Sequence, residues 1–168
     1  MPGADLDELN VDEPLELERD ETPAQRVDRN FNELLGELRI ALPGVQILFA
    51  FLLTVPFSQG FSSLSQFDRG VYFAVLCLTA LAAALLIAPT AYHRIQFRQG
   101  RKVQILLFAN RAAVMGLACL ALAMSGAMLL ITNVLFGTAA AIPAGTAALL
   151  LFGTLWYLLP WTRVRGLF

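Results

Sequence analysis

The sequence predicts an all-α membrane protein: four transmembrane helices, preceded by a cytoplasmic amphipathic helix and a disordered acidic N-terminal tail. Three observations carry that prediction. First, 57% of the 168 residues are hydrophobic and only 15% charged, and the mean hydropathy of +0.64 is too high for an ordinary water-soluble domain. Second, the runs 71–92 and 112–161 contain no charged residue. Third, the net charge of −1 is the near-cancellation of two opposite halves. Residues 1–40 carry 12 acids and 4 bases, whereas the remainder carries one acid, Asp68, and 8 bases.

The tail, 1–21, has nine acids, one basic residue, two prolines and no aromatic residue. It cannot bury enough apolar surface to offset its ordering entropy, so disorder is expected there. A helix over 22–42 should follow, opened by a capping box in which Thr22 precedes Pro23 at the first helical position and Gln25 three residues on. Val27, Phe31, Leu34, Leu35, Leu38 and Leu42 recur at helical spacing, which makes this helix amphipathic. It either lies among the lipid headgroups or packs on the protein. Asp28, Glu33 and Glu37 on its polar side weaken attraction to anionic lipid and favour packing. Pro43 should end or kink it.

A bilayer core about 30 Å thick needs roughly 20 apolar residues as a helix, and the bundle 43–168 supplies spans at about 43–57, 71–92, 103–132 and 139–161. The first is short: 15 residues rise only about 22 Å, so it either crosses with help from the preceding helix or is re-entrant. The long uncharged run divides at Asn133, Gly137 and Thr138. Lys and Arg mark cytoplasmic loops. Arg94, Arg98, Arg101 and Lys102 in one connection, and Arg163 and Arg165 in the tail, place both termini inside a cytoplasmic (inner) membrane. The connections 58–70 and 133–138 then lie outside. Asp68 falls at the outer surface, where Ser65 and Asp68 form a capping box for the second span. Phe57, Phe61, Phe67 and Tyr72 mark the outer headgroup level; Tyr92, Phe97, Trp156, Tyr157 and Trp161 mark the inner one. The first forty residues lack the apolar core of a signal peptide.

Signatures of catalysis are missing from the sequence. One histidine, His93, cannot build a histidine metal triad, and neither a GxxxxGK loop nor a GxSxG elbow occurs. Cys77 and Cys119 read as small buried hydrophobes. No cofactor, metal or nucleic-acid partner is expected; the expected partners are the lipid bilayer, anionic lipid, and a second copy or another membrane protein. Arg94, Arg98, Arg101 and Lys102 would share one helical face and could hold anionic headgroups, could only set topology, or could receive the acidic tail. Glu33, Glu37, Gln46, Asn110 and Arg111 form a candidate polar cluster at the inner mouth, in which Arg111 either snorkels or pairs with Glu33 or Glu37. Ala80, Ala84 and Ala88, and Ala112 with Gly116, look like packing seams.

Several of these segments carry a family likeness. Arg29-Asn30-Phe31-Asn32-Glu33-Leu34-Leu35-Gly36-Glu37-Leu38-Arg39, Gly44-Val45-Gln46-Ile47-Leu48 and Phe51-Leu52-Leu53-Thr54-Val55-Pro56-Phe57 resemble a family of small bacterial four-span integral membrane proteins of unknown function. So do Phe67-Asp68-Arg69-Gly70-Val71-Tyr72 and Ala88-Pro89-Thr90-Ala91-Tyr92-His93-Arg94. The likeness covers about 22–132 and implies four spans; some members carry a sodium:proton antiporter label. It brings no catalytic or ligand residues with it. Ion exchange normally uses an acid at membrane depth, and no Asp or Glu lies inside a predicted span. The sequence therefore favours a non-enzymatic role in interaction or membrane organisation, with a small oligomeric transporter or channel subunit as the alternative.

Overall fold

A computed structural model describes residues 22–96 and 102–165; the acidic tail 1–21, Arg98 and Arg101 lie outside the described residues. Helix α1 (Pro23–Thr54) opens on the expected capping box. The Thr22 amide donates to Gln25 Oε1 at 2.8 Å, and the Gln25 amide donates to Thr22 Oγ1. The helix does not end at Pro43. It runs unbroken for 32 residues, about 48 Å, so the separate amphipathic helix and short first span of the sequence reading are one element.

The physical reason lies in the spacing of the buried side chains. Phe31, Leu38, Val45 and Leu52, each seven residues from the next, are all at most 7% exposed. A strict seven-residue stripe holds one seam against its neighbours along a whole helix. Because the stripe continues in register on both sides of Pro43, packing outweighs the single backbone hydrogen bond that proline removes. Pro43 itself is exposed.

Two short 3-10 turns, Val55–Phe57 and Gln59–Ser63, lead to α2 (Gln66–Gln96), with Pro89 buried inside it. Helix α3 (Lys102–Phe136) returns antiparallel to α2. A single residue, Gly137, separates it from α4 (Thr138–Gly153). Gly137 has φ +82°, a left-handed conformation that glycine adopts without steric cost, and its amide donates to the Asn133 carbonyl at 2.9 Å. One π-helical turn, Thr154–Leu158, then joins α4 to α5 (Leu159–Arg165). In that turn Tyr157 donates its hydroxyl to the Val114 carbonyl of α3 at 2.7 Å.

Helix α3 is the centre of the bundle. It packs on α2 over its whole length, on α4 at its opposite side and on α1, while α4 touches none of the other long helices among the described residues. The core forms three layers. Phe31, Ile105 and Ala109 fill the end where α1 begins; Leu38, Val45, Ala82, Leu86, Ala113 and Leu120 fill the middle; Leu52, Tyr72, Val75, Ala123 and Leu130 fill the far, or distal, end. The stripe of α1 thus packs on the protein, as its charges favoured. Between the layers, close backbone approach depends on glycine: a Cβ on Gly116 would sit 2.8 Å from Leu86 Cγ, and one on Gly145 would sit 2.8 Å from Leu129 Cβ.

The seam predicted at Ala112 and Gly116 is therefore internal. The one at Ala80, Ala84 and Ala88 is not: Ala80 and Ala84 are exposed, and α2 buries Val75, Thr79, Ala82 and Leu86 instead. Alanines at four-residue spacing mark a face, and the helix is rotated so that the adjoining face, which carries Val75 and Leu86, meets its neighbours. Cys77 is exposed and Cys119 is partly buried.

Candidate functional site

The polar residues singled out near the inner mouth are not bonded to one another. Glu33 pairs with Arg29 one turn earlier on α1, at 3.3 Å, and both side chains are substantially exposed. Glu37, Gln46, Asn110 and Arg111 are exposed as well. Among the described residues no hydrogen bond or ion pair joins any two of Glu33, Glu37, Gln46, Asn110 and Arg111. The reason is rotational: 33, 37 and 46 fall off the seven-residue stripe with which α1 meets its neighbours. Arg94 is exposed near the end of α2, and Lys102 opens α3.

Polar side chains come together at the distal end instead. Ser65 caps α2: its hydroxyl accepts from the Asp68 amide at 3.1 Å and donates to the Asp68 carboxylate at 2.7 Å. The acid thus reaches the cap hydroxyl, a variant of the expected capping box. From α3, Asn133 Nδ2 donates to the other Asp68 oxygen at 2.7 Å. Only 7% of Asp68 is exposed, because the end of α3 closes over it. The side-chain oxygen of Asn133, Oδ1, has no hydrogen-bond partner and is shielded from solvent.

Next to this clamp, Tyr72 is buried and donates its hydroxyl to the Leu52 carbonyl of α1 at 2.8 Å. Its ring meets Phe61 edge to face, with centroids 5.2 Å apart. Arg69 lies over the Phe61 ring at 5.9 Å and donates to the Ser62 carbonyl at 2.7 Å. The 3-10 turns are therefore held by α1, which leads into them, and by α2 through the Tyr72 ring and the Arg69 guanidinium. They roof an apolar cavity of about 320 Å³ bounded by Leu48, Phe51 and Leu52 of α1 and by Leu130, Ile131 and Leu135 of α3.

Sequence reasoning placed Asp68, Phe61 and Tyr72 near this boundary but did not connect them. Asn133 was read only as a break between spans. The available signal was its polarity inside an otherwise uncharged run, since a polar side chain at membrane depth needs a partner.

Deeper in the bundle, polar groups are turned back on their own helices. Thr79 and Ser125 are buried and donate to the Val75 and Ala121 carbonyls four residues earlier, each at 2.8 Å. Among the described residues no three His, Cys, Asp or Glu side chains gather in a metal-binding group.

Four helical stretches, Gln25–Phe57, Gln66–Tyr92, Gln104–Phe136 and Thr138–Thr162, are long and apolar enough to cross a membrane. Fold and composition together define a helical membrane protein with four potential spans. The chain belongs to a family of unknown function, DUF6328, whose model matches residues 20–160. No curated protein and no solved structure matches it.

Proposed function

We propose that this is a non-enzymatic, multi-pass protein of the bacterial cytoplasmic membrane, with both termini in the cytoplasm. In this reading it acts by interaction, through its acidic N-terminal arm and the basic connection around Arg94, Arg98, Arg101 and Lys102. The observation that carries it is the chemistry of the interior. The polar groups buried at mid-bundle, Thr79 and Ser125, spend their hydroxyls on their own backbone, and Arg111 faces outward. A path for ions through one chain would need side chains that can bind and release them along its length. The polar ends are thus the parts left to recognise partners, with anionic headgroups the simplest match for the basic connection.

Orientation follows the same logic. Arg39 on α1 and Arg111 on α3 precede the long apolar stretches of two parallel helices, and Arg94 follows that of the antiparallel α2. Basic residues other than Arg69 thus collect at one end of the bundle, the cytoplasmic end by the charge rule.

The test is flux and topology measured on one preparation. Purified protein in liposomes should move neither Na⁺ nor H⁺ above the protein-free rate, and reporters fused after Phe61 and Gln99 should report opposite sides. Cation flux that is abolished by Glu37→Gln would overturn the reading, and same-side reporters would overturn the topology.

A further inference from the structure

We propose that the distal cavity is a binding site for one acyl chain of an anionic phospholipid, with Arg69 facing the net negative charge of its headgroup. This rests on the bundle being immersed in a bilayer and is independent of what the cytoplasmic arm does.

The cavity wall is apolar in effect as well as in composition. Ser58 and Tyr72 are its only hydroxyl-bearing wall residues, and both hydroxyls are already engaged: Ser58 donates to the Val55 carbonyl at 2.7 Å and Tyr72 to the Leu52 carbonyl. With both donors spent, the wall offers water few partners and is a poor site for it. Its walls come from the parts of α1 and α3 that follow their last charged residues, Arg39 and Arg111, so in a bilayer it faces hydrocarbon. At about 320 Å³ it stands at the small end of ligand sites, which suits one chain and excludes a whole lipid.

The rim supplies the charge. Arg69 is exposed, and its guanidinium lies over Phe61, itself part of the cavity wall. One guanidinium nitrogen is engaged with Ser62, and a guanidinium carries five N–H donors, enough to serve a phosphate besides. The neighbouring acid does not cancel this charge. Asp68 is turned inward onto Ser65 and Asn133, and among the described residues it forms no ion pair with Arg69. An apolar slot beside a cation that is free of an ion pair among the described residues matches an anionic amphiphile.

The experiment is native mass spectrometry of the full-length protein, delipidated in detergent and then offered phosphatidylglycerol or phosphatidylcholine with identical chains. One phosphatidylglycerol per chain should be retained, about five-fold better than phosphatidylcholine, the ratio expected for one arginine beside an anionic headgroup. Ile131→Trp, at a wall position 53% exposed and so free of core packing, should abolish retention of both lipids. Arg69→Gln should keep lipid binding and bring the ratio to about one. Equal retention of the two lipids by the wild type would overturn the proposal. So would wild-type retention by an Ile131→Trp protein that keeps its helical circular dichroism, or a lipid-free dimer. Should Ile131→Trp lose its fold, competition on the wild type decides: glycerol phosphate, the headgroup without chains, should fail to displace the lipid, and displacement would overturn the acyl-chain site.

Discussion

Asn133, in the last turn of α3, donates its side-chain amide to the carboxylate of Asp68, in the first turn of α2, at 2.7 Å. These residues are 65 positions apart in sequence, and their bond closes the distal end of the two helices that share the most extensive contact in the bundle. Through its backbone carbonyl Asn133 also accepts from Gly137, so one residue ties α3 both to α2 and to the turn into α4. Asp68→Ala should lower stability by about 1–3 kcal/mol, because it leaves the Asn133 amide and the Ser65 hydroxyl without their acceptor. In a cycle with Asn133→Ala, thermal unfolding in detergent should show a coupling of about 0.6 kcal/mol and at most about 1.7; strict additivity would mean that the hydrogen bond does not stabilise the fold.

Tyr72→Phe should cost less, about 0.5–1.5 kcal/mol, the net worth of one hydrogen bond. The Leu52 carbonyl would not be orphaned, since it also accepts from the Val55 amide, and the ring contact with Phe61 is kept. Tyr72→Ala would remove that contact and core volume as well, at about 3–5 kcal/mol by analogy with other buried aromatic residues. The same unfolding assay checks both values, and similar losses for the two variants would refute this division of roles.

Glycines on α3 and α1 should respond in opposite directions to the same change. Gly116→Ala brings a methyl to 2.8 Å from Leu86 Cγ and 3.3 Å from Leu85 Cβ, and overpacking of this kind costs about 1–3 kcal/mol. Gly36→Ala meets nothing within 4 Å inside a regular helix and should stabilise by about 0.5–1 kcal/mol. Melting temperatures of the two variants that moved the same way would contradict the close approach of α2 and α3.

On α1 the seven-residue stripe makes neighbouring leucines unequal. Leu52 is 5% exposed and Leu53 is 47% exposed. Leu52→Ala should cost about 2–5 kcal/mol, while Leu53→Ala should stay within about 0.5 kcal/mol. Equal losses on unfolding would mean that α1 is rotated from the arrangement described.

Much of this architecture was legible in the chain. Span number, the cap at Thr22, the cap residue Ser65 and the polar break near Asn133 follow from charge-free length and local hydrogen-bonding chemistry, which act over a few residues. Of the two outcomes expected at Pro43, an end or a kink, the end does not occur: proline's local penalty is readable from sequence, whereas the stripe from Phe31 to Leu52 that outweighs it acquires its energy only when α2 and α3 are in place. The alanine face of α2 shows the same limit: spacing shows that residues share a face, and only the neighbouring helix decides which face is covered within the bundle. At the site, Asp68, Arg69 and Tyr72 stood together in sequence, but their partners Asn133 and Leu52 come from other helices.

By itself, then, the sequence determined that the chain has four apolar helices, where their caps lie and at which end of the helices the positive charge collects, because hydropathy, capping and charge act locally along the chain. Tertiary structure decided that α1 is continuous, that α3 is central, that no hydrogen bond or ion pair joins the inner-mouth residues, and that Asp68, Tyr72 and Arg69 gather beside an apolar cavity. Those outcomes depend on the rotation of each helix about its axis. Helix rotation is fixed by close packing at positions such as Gly116 and Gly145 and by single long-range hydrogen bonds, and neither exists until the helices meet.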